Sequence, residues 1–198
     1  MKNKTNGYIY YDYHKKTEKE VVSDVAWTSV FNWVYALVGI LCVVFVVFMM
    51  FFKVVEVDGA SMKPTLNESE KLLVYSLSYT PEKGDIIIVG STNKDEPPLV
   101  KRVIATENQT VEVDYKTGKV SVDGKVLEED YITEMSVPDT NEIEYPYTVP
   151  EGCVFVMGDN RNESSDSRSR LIKAVDENHI AGKVIARIYP FSEMTIFE

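Results

Sequence analysis

Two side chains of this 198-residue chain, Ser61 and Lys101, have the chemistry of a nucleophile and its base. Ser61 lies in the turn-like stretch 59–66, Gly-Ala-Ser-Met-Lys-Pro-Thr-Leu, whose proline stops any continuing helix. Lys101 lies among apolar residues in 99–104, Leu-Val-Lys-Arg-Val-Ile. A serine hydroxyl becomes a nucleophile when a base within hydrogen-bond reach takes its proton. The two residue types therefore indicate covalent catalysis on a serine.

A lysine can act as that base only when its amine is neutral. The ordinary lysine pKa is about 10.4, and burial lowers it because the ammonium ion loses hydration. If 99–104 is a strand, Lys101 and Arg102 point to opposite faces, and one of them faces the core. Spacing alone leaves two alternatives open, since Lys101 could also be a surface lysine at a strand edge and Ser61 an ordinary turn residue.

The sequence offers few residues for a catalytic histidine, a metal site or a phosphate-binding loop. His14 belongs to the polar N-terminal stretch, and His179 follows the polar residues 176–178, which favours a solvated side chain. The spacing of His, Cys, Asp and Glu matches no metal site, and neither a Gly-x-Ser-x-Gly elbow nor a phosphate loop is present. Cys42 and Cys153 form no disulfide framework. We therefore expect no metal and no cofactor.

The elements that must position these residues begin with an apolar run over 25–52, which contains no charged residue. About 20 apolar residues span a bilayer as a helix. Trp27, Trp33 and Tyr35 stand near its start, as an aromatic belt does. A cleaved signal sequence has an apolar region of only about 7–15 residues. The run predicts an uncleaved membrane anchor rather than a cleaved signal or a buried soluble helix.

The anchor divides the chain into a tail over 1–24, the anchor over 25–52 and a domain over 53–198. The tail carries five lysines and four acidic residues, and its lysines favour a cytoplasmic N-terminus and an extracytoplasmic domain. The chain has a formal net charge of -10, and residues 53–198 hold 16 basic and 27 acidic residues. A domain with this excess of negative charge is repelled by nucleic acid, which excludes nucleic acid as a partner. Solubility alone would also account for the excess of acidic residues.

The domain shows many short apolar or alternating segments separated by turns, and almost no helical pattern. Asp123-Gly124 is a tight hairpin signal. Residues 133–150 are polar and contain proline, which predicts a surface excursion, and only 171–180 could hold a short helix. We predict a mainly β fold, a compact domain of antiparallel sheets preceded by one transmembrane helix. Strands are expected at 54–57, 71–75, 86–89, 100–105, 110–114, 120–122, 153–157 and 184–189.

Four segments, in this order and after an anchor, resemble the motifs of the type I signal peptidases, in particular their Gram-positive-type members. These enzymes are serine proteases with a serine-lysine dyad. The resemblance covers roughly residues 30–190. The segments are Ser61-Met62-Lys63-Pro64-Thr65-Leu66, Gly84-Asp85-Ile86-Ile87, Lys101-Arg102-Val103-Ile104, and Gly158-Asp159-Asn160-Arg161 with Ser164, Asp166, Ser167 and Arg168.

The resemblance implies a role for each matching residue. Ser61 would be the nucleophile, Lys101 the general base and Ser164 the residue that orients the lysine, while Asp166 and Arg168 would form a supporting ion pair. The backbone N–H of Ser61 would help to stabilise the oxyanion. The family removes signal peptides from exported preproteins, after small residues and on the outer face of the membrane. The partners would therefore be those signal peptides and membrane lipid.

Two departures from the family pattern concern loops beside the motifs. Residues 105–109 read Ala-Thr-Glu-Asn-Gln, where the family usually has a turn containing glycine and proline, so the shape of this loop can differ. Gly59 stands where some members have a serine that completes the oxyanion hole, although the shorter Gram-positive-type members also carry glycine there. Three apolar neighbours of the dyad could either line a pocket for small side chains or be plain core; they are Met62, Leu66 and Val100.

Ser164 and Ser165 are adjacent, and either hydroxyl could reach Lys101. In an extended segment alternate residues share a face, so Ser164 would lie with Asp166 and Arg168, and Ser165 on the opposite face. Both serines could instead be solvated turn residues. The chain as a whole has two alternative functions. One is a self-cleaving regulator of the repressor type, which also uses a serine and a lysine on a β fold, but such proteins carry a DNA-binding segment where this chain has an anchor. The other is an anchored interaction protein without catalysis, against which the intact Ser61 and Lys101 argue.

Overall fold

The computed structural model of the chain describes residues 18–77, 79–90, 98–132, 135 and 142–197, with side chains described from residue 27 onward. Residues 1–17, which make up most of the predicted tail, lie outside the described residues, as do 91–97 and all of 133–141 except Met135. The chain divides into two compact units, one ending at Phe48 and the other beginning at Met49.

The first element is a 34-residue helix, α1, over Glu18–Phe51. It begins seven residues before the predicted anchor, because Glu18, Lys19 and Glu20 are good helix formers that extend the apolar run at its polar end. Within it, Trp27–Phe51 has a mean hydropathy of 2.9 and is long and apolar enough to cross a membrane. The helix ends where the β-branched pair Val54-Val55 favours a strand.

Twelve strands follow within the described part of residues 52–197, and the structure is mainly β, as predicted. Two three-residue 3₁₀ turns lie among them, at Glu177–His179 and Phe191–Glu193. The strands are β1 Phe52–Glu56, β2 Lys71–Tyr75, β3 Ile86–Val89, β4 Leu99–Ala105, β5 Thr110–Asp114, β6 Lys119–Val122, β7 Lys125–Val126, β8 Tyr147–Thr148, β9 Cys153–Met157, β10 Val175–Asp176, β11 Ile180–Tyr189 and β12 Thr195–Ile196.

Eight of the strands form one sheet in the order β1-β2-β11-β3-β4-β9-β10, with β12 paired to β11. Its neighbouring strands pair antiparallel. All four residues of β3 are buried, and they alternate between two hydrophobic clusters, so this strand is covered on both faces. β4 lies between β3 and β9, which places Lys101 in the interior of the sheet rather than at its edge.

The other four strands form a smaller antiparallel sheet in the order β7-β6-β5-β8. The predicted hairpin between β6 and β7 is present, and Asp123 and Gly124 both have positive φ, 51° and 73°, as the tightest hairpin turns require. Val111, Val120 and Val122 pack with residues of β9 in one hydrophobic cluster, which joins the two sheets.

Two local predictions concern segments late in the domain. Residues 171–180 do hold a short helix, the 3₁₀ turn at Glu177–His179, and Val175–Asp176 before it pairs with β9 as β10. The described part of 133–150 lies only partly at the surface. Met135, Ile143 and Val149 are buried in the cluster that includes residues of the small sheet, whereas its other described residues are half-buried or exposed. The polar composition of the segment did not indicate that these three apolar side chains belong to the core.

Candidate active site

The nucleophile turn, residues 59–66, is held in place by its two apolar side chains. Met62 and Leu66 are 1% and 0% exposed, and the Leu66 amide donates to the Met62 carbonyl at 2.9 Å. Gly59 has φ 86°, a conformation that residues with a Cβ rarely adopt. Between these buried anchors, Ser61 stays partly exposed at the surface of the turn.

Lys101 reaches Ser61 from the interior of the large sheet. On β4 it pairs with Ile87 of β3, and only 2% of it is exposed. Its Nζ donates to Ser61 Oγ at 2.8 Å and to the Val100 carbonyl at 3.0 Å. The structure therefore brings the two residues expected to form a dyad within hydrogen-bond distance.

The pKa of Lys101 is lowered to about 8, mainly because burial removes the hydration of its ammonium ion. The carboxylates of Asp166 and Asp159 act in the opposite direction, and the positive charge of Arg168 lowers the pKa further. A substantial fraction of this amine is neutral at mildly alkaline pH. Lys101 thus has both the position and the protonation state that a base for Ser61 needs.

The loop after β9, residues 158–168, packs against the nucleophile turn through backbone contacts. The Asn160 amide donates to the Ser61 carbonyl at 3.0 Å, and Asn160 Nδ2 donates to the Ala60 carbonyl at 3.1 Å. A Cβ on Gly158 would come within 2.4 Å of the Ser61 carbonyl oxygen, so only glycine fits there. This loop therefore holds the backbone of the nucleophile turn in place at Ala60 and Ser61.

Asp166 and Arg168 form a bidentate ion pair inside the same loop. Arg168 Nε donates to Asp166 Oδ1 at 2.8 Å and Nη2 to Oδ2 at 3.0 Å, with both residues at most 5% exposed. Asp166 Oδ2 also accepts from the Gly158 amide at 3.0 Å. The pair thus holds the start of the loop, where Gly158 meets the nucleophile turn.

The profile of the family described as "Signal peptidase, peptidase S26" matches residues 30–189. The chain belongs to this family. The resemblance that four motifs suggested is confirmed, and the chain is a serine peptidase of the signal peptidase I class. A self-cleaving repressor-type regulator is thereby set aside.

Two bacterial relatives match most of the chain. A signal peptidase I from Bacillus licheniformis is 35% identical over 176 residues, covering 84% of this chain and 92% of that protein. A signal peptidase IB from Staphylococcus aureus strain COL is 32% identical over 184 residues, covering 83% of this chain and 92% of that protein. A crystal structure of a signal peptidase I from Enterococcus faecalis V583 is 28% identical, covers 54% of this chain and 97% of that one, and has a TM-score of 0.43.

Ser164 does not make the hydrogen bond to Lys101 that the family pattern implies. Its Oγ is buried and has no hydrogen-bond partner among the described residues, although it lies close to Gly158. The loop is irregular rather than extended, so its side chains do not alternate between two faces. Ser167 is buried beside Asp166, and its Oγ accepts from the Val156 amide at 2.9 Å. The role of Ser164 toward Lys101 stays a prediction.

Met62, Leu66 and Val100, the candidate pocket residues, lie together in one buried cluster of the large sheet. Val100 is the most exposed of them at 7%. In this structure they are core, the second alternative left open by the sequence. A pocket role for any of them stays a prediction.

Sequence reasoning missed the residues that join the lysine strand to the loop. Arg102 binds the fully buried Asp159 through two hydrogen bonds, of 2.9 and 2.7 Å, and Thr65 Oγ1 donates to the same carboxylate at 2.5 Å. The signal was present, because Arg102 and Asp159 stand inside two of the four motifs. Glu129 and Tyr131 contact Arg161 and Arg102, respectively. Neither residue lies in a motif, so the sequence carried no signal for these contacts.

Within the described ranges no group of three or more His, Cys, Asp or Glu side chains is placed to hold a metal ion. His179 is exposed in its 3₁₀ turn, which fits the solvated side chain favoured by the sequence. Cys42 and Cys153 are free thiols.

Proposed function

We propose that the chain is a membrane-anchored serine endopeptidase that removes N-terminal signal peptides from exported preproteins through a Ser61–Lys101 dyad. The observation that carries the proposal is the buried Lys101 Nζ, 2.8 Å from Ser61 Oγ, with its pKa lowered to about 8. The relatives of the chain are named signal peptidases, which supports the substrate class.

In the first half of the reaction, Lys101 Nζ takes the proton of Ser61 as Oγ attacks the scissile carbonyl carbon. The carbonyl oxygen becomes an oxyanion, and the Ser61 backbone N–H donates a hydrogen bond that stabilises it. When the C–N bond breaks, Lys101 returns the proton to the leaving amine. The mature protein departs with a new N-terminus, and the signal peptide stays as an ester on Ser61.

In the second half, Lys101 takes a proton from a water molecule, which attacks the ester carbonyl. The C–O bond to Ser61 breaks, and Oγ recovers its proton from Lys101. The signal peptide leaves with a free carboxyl group. Asp166 and Arg168 take no part in the transfers; they hold the loop that seats Ser61, and the charge of Asp166 keeps the pKa of Lys101 from falling further.

The proposed location follows from the length of the connection. We propose residues 1–24 as a cytoplasmic tail, 25–52 as the anchor and 53–198 as the extracytoplasmic catalytic domain, with the helix over Trp27–Phe51 as the span. Nine residues lead from Phe52 to Ser61, and they reach about 30 Å at most. The nucleophile is thereby kept near the bilayer, where a substrate still held in lipid by its own apolar segment presents its cleavage site.

The test is a cleavage assay with the purified full-length chain in detergent micelles and a synthetic signal-peptide substrate. Ser61→Ala and Lys101→Met are each expected to abolish cleavage while the domain stays folded. Since the two residues act as a unit, the double variant is expected to be little worse than either single one. Clear activity in Lys101→Met would remove lysine as the base, and inactivity of the unaltered chain would favour an interaction protein.

The matched control is Lys125→Met, which makes the same change on the exposed strand β7. It is expected to cleave at the unaltered rate. A loss of activity there equal to that of Lys101→Met would show that the assay responds to lost positive charge rather than to the dyad.

A further inference from the structure

Residues 129–131 lie in the connection between β7 and β8 of the small sheet. The side chain of Glu129 contacts the loop at 158–168, and that of Tyr131 contacts Arg102 of β4. Glu129 forms a bidentate ion pair with Arg161, whose Nη2 and Nη1 lie 2.5 and 3.0 Å from the two carboxylate oxygens. The side chains are 5% and 0% exposed. Removing one member of a buried ion pair is costly, because the charge of the other member is then left without a partner in a poorly hydrated site.

Arg161 carries this contact directly to the loop beside the nucleophile. Its Nε donates to the Gly158 carbonyl at 3.1 Å, and its own carbonyl accepts from Arg168 Nη2 at 2.7 Å. Gly158 is the residue that packs against the Ser61 carbonyl. Glu129 is therefore connected to the nucleophile turn through Arg161 and Gly158.

Tyr131 makes a parallel connection through the other arginine. The Arg102 guanidinium lies over the Tyr131 ring, 3.9 Å from its centroid, and Arg102 binds Asp159. The Tyr131 hydroxyl donates to Glu129 Oε1 at 3.0 Å, so the two connections are joined to each other. Burial raises the pKa of Tyr131, followed by the nearby charge of Glu129, and the hydroxyl keeps its proton.

We propose that Glu129 and Tyr131 are positioning residues for the reaction, acting through Arg161 and Arg102 to hold residues 158–160 against the nucleophile turn. The inference rests on the proposed function, since it assigns to Ser61 the nucleophile that this loop seats. Neither residue touches the reacting atoms. Their effect is on the fraction of molecules in which Ser61 and Lys101 are aligned, and such alignment governs the rate of the chemical step rather than substrate binding.

The experiment compares Glu129→Gln with its two neighbours, Glu128→Gln and Asp130→Asn, which remove a negative charge from exposed side chains. All variants are full-length chains in detergent micelles, assayed with the synthetic signal-peptide substrate well below their unfolding temperatures. Glu129→Gln is expected to lower kcat at least tenfold, which corresponds to about 1.4 kcal/mol, with KM nearly unchanged. The two neighbours are expected to keep the unaltered kcat.

A second readout separates positioning from loss of stability. Hydrogen exchange at the Asn160 amide, which donates to the Ser61 carbonyl, is expected to become faster in Glu129→Gln and to stay unaltered in Glu128→Gln. The pH midpoint of kcat/KM is expected to stay near 8, because the burial of Lys101 is not changed. An unaltered kcat in folded Glu129→Gln, or an equal loss in the neighbours, would overturn the inference.

Tyr131→Phe keeps all charges and the ring beneath Arg102, and removes only the hydroxyl that binds Glu129. We expect it to fold and to lower kcat about fivefold, the size of one lost hydrogen bond. If Glu129→Gln does not fold, Tyr131→Phe alone decides, and an unaltered kcat there would refute the inference.

Ser61→Ala in the same series separates the proposed positioning role from the proposed dyad. Activity in Ser61→Ala would refute the dyad itself. Inactivity of Ser61→Ala together with normal activity of the Glu129 variant would refute only the positioning role.

Discussion

The lowered pKa of Lys101 results from the buried position of its side-chain amine. Enclosure by protein destabilises the ammonium form, and this effect exceeds the stabilisation from the carboxylates of Asp166 and Asp159, so the pKa is lowered to about 8. A base with a pKa near the working pH combines a useful neutral fraction with enough basicity to take a serine proton. A surface lysine, with its pKa near 10.4, would be almost fully charged at neutral pH.

The first prediction at this scale concerns pH. Because the proposed base, Lys101, acts in its neutral form, kcat/KM is expected to rise with pH, to reach half its maximum near pH 8 and to level off above it. The charge of Asp166 raises this pKa, so the residual activity of Asp166→Asn is expected to have a lower midpoint. The measurement is kcat/KM across the pH range, and an optimum below about pH 6 would contradict a lysine base.

The second prediction concerns the adjacent serines. Ser164 Oγ is buried and has no partner in the part of the chain that the structure describes. An ammonium group has three donors, of which Lys101 uses two in the contacts to Ser61 and Val100. We expect Ser164 to turn toward Lys101 in the working enzyme. Ser164→Ala should then lower kcat by about 5- to 150-fold, the effect of losing about 1–3 kcal/mol.

Ser165 is the matched control for this test, because it is exposed and carries the same hydroxyl. Ser165→Ala is expected to be nearly silent in kcat. Thermal unfolding should be unaltered in both variants, since neither hydroxyl is needed to satisfy a buried group of the fold. Equal effects at the two positions, or a larger effect at Ser165, would show that the loop presents a different serine to the lysine.

At the scale of elements, the site depends on three segments that meet at one carboxylate. Asp159 is fully buried, and it joins β4 through Arg102 to the nucleophile turn through Thr65. A carboxylate with several charge-assisted partners can fix the relative position of the segments that supply them. The proposed dyad of Ser61 and Lys101 is thus held in place by contacts of Asp159, in which neither Ser61 nor Lys101 takes part.

The prediction at this scale is that Asp159→Asn destabilises the domain as well as the site. Breaking a buried ion pair costs about 3 kcal/mol or more, because Arg102 is left without its partner. For a chain of this size we expect Tm to fall by about 6–12 °C, together with a large loss of kcat. Asp130→Asn, at an exposed site, should change neither. An unaltered Tm in Asp159→Asn would show that this carboxylate does not join the segments.

At the scale of the whole molecule, the apolar helix and the acidic domain suit different surroundings. The segment Trp27–Phe51 is long and apolar enough for a bilayer, whereas the domain carries the excess of acidic residues that keeps it in water. These two compositions fit the proposed division of the chain into a membrane anchor and a catalytic domain outside the bilayer.

The prediction at this scale is topological. From the lysine bias before the helix, we expect the N-terminus in the cytoplasm and residues 53–198 outside. Protease added to intact cells lacking a wall should digest a C-terminal tag and spare an N-terminal one. After the cells are lysed, both tags should be digested, which controls for accessibility. The reverse pattern in intact cells would exclude a role in processing exported proteins on the outer face.

The sequence by itself determined the kind of fold and the family. Six of the eight predicted strands begin and end within a residue of their predicted bounds, since alternating or continuous apolar runs and turn residues act over short distances. The two-residue strands β7, β8, β10 and β12 were not predicted, and β11 begins four residues earlier than expected. The length of an apolar run likewise needs no tertiary information. The four motifs indicated candidate site residues for the same reason, because each motif is a short stretch with its own residue types.

Only the tertiary structure decided how these stretches meet. Ser61 and Lys101 are 40 residues apart, and their 2.8 Å contact depends on the strand order that places β4 between β3 and β9. The burial that lowers the pKa of Lys101, and the contact of Glu129 with Arg161, depend in the same way on segments distant in sequence. Local patterns could not predict them, because the path of an irregular loop is set by what the rest of the fold packs against it.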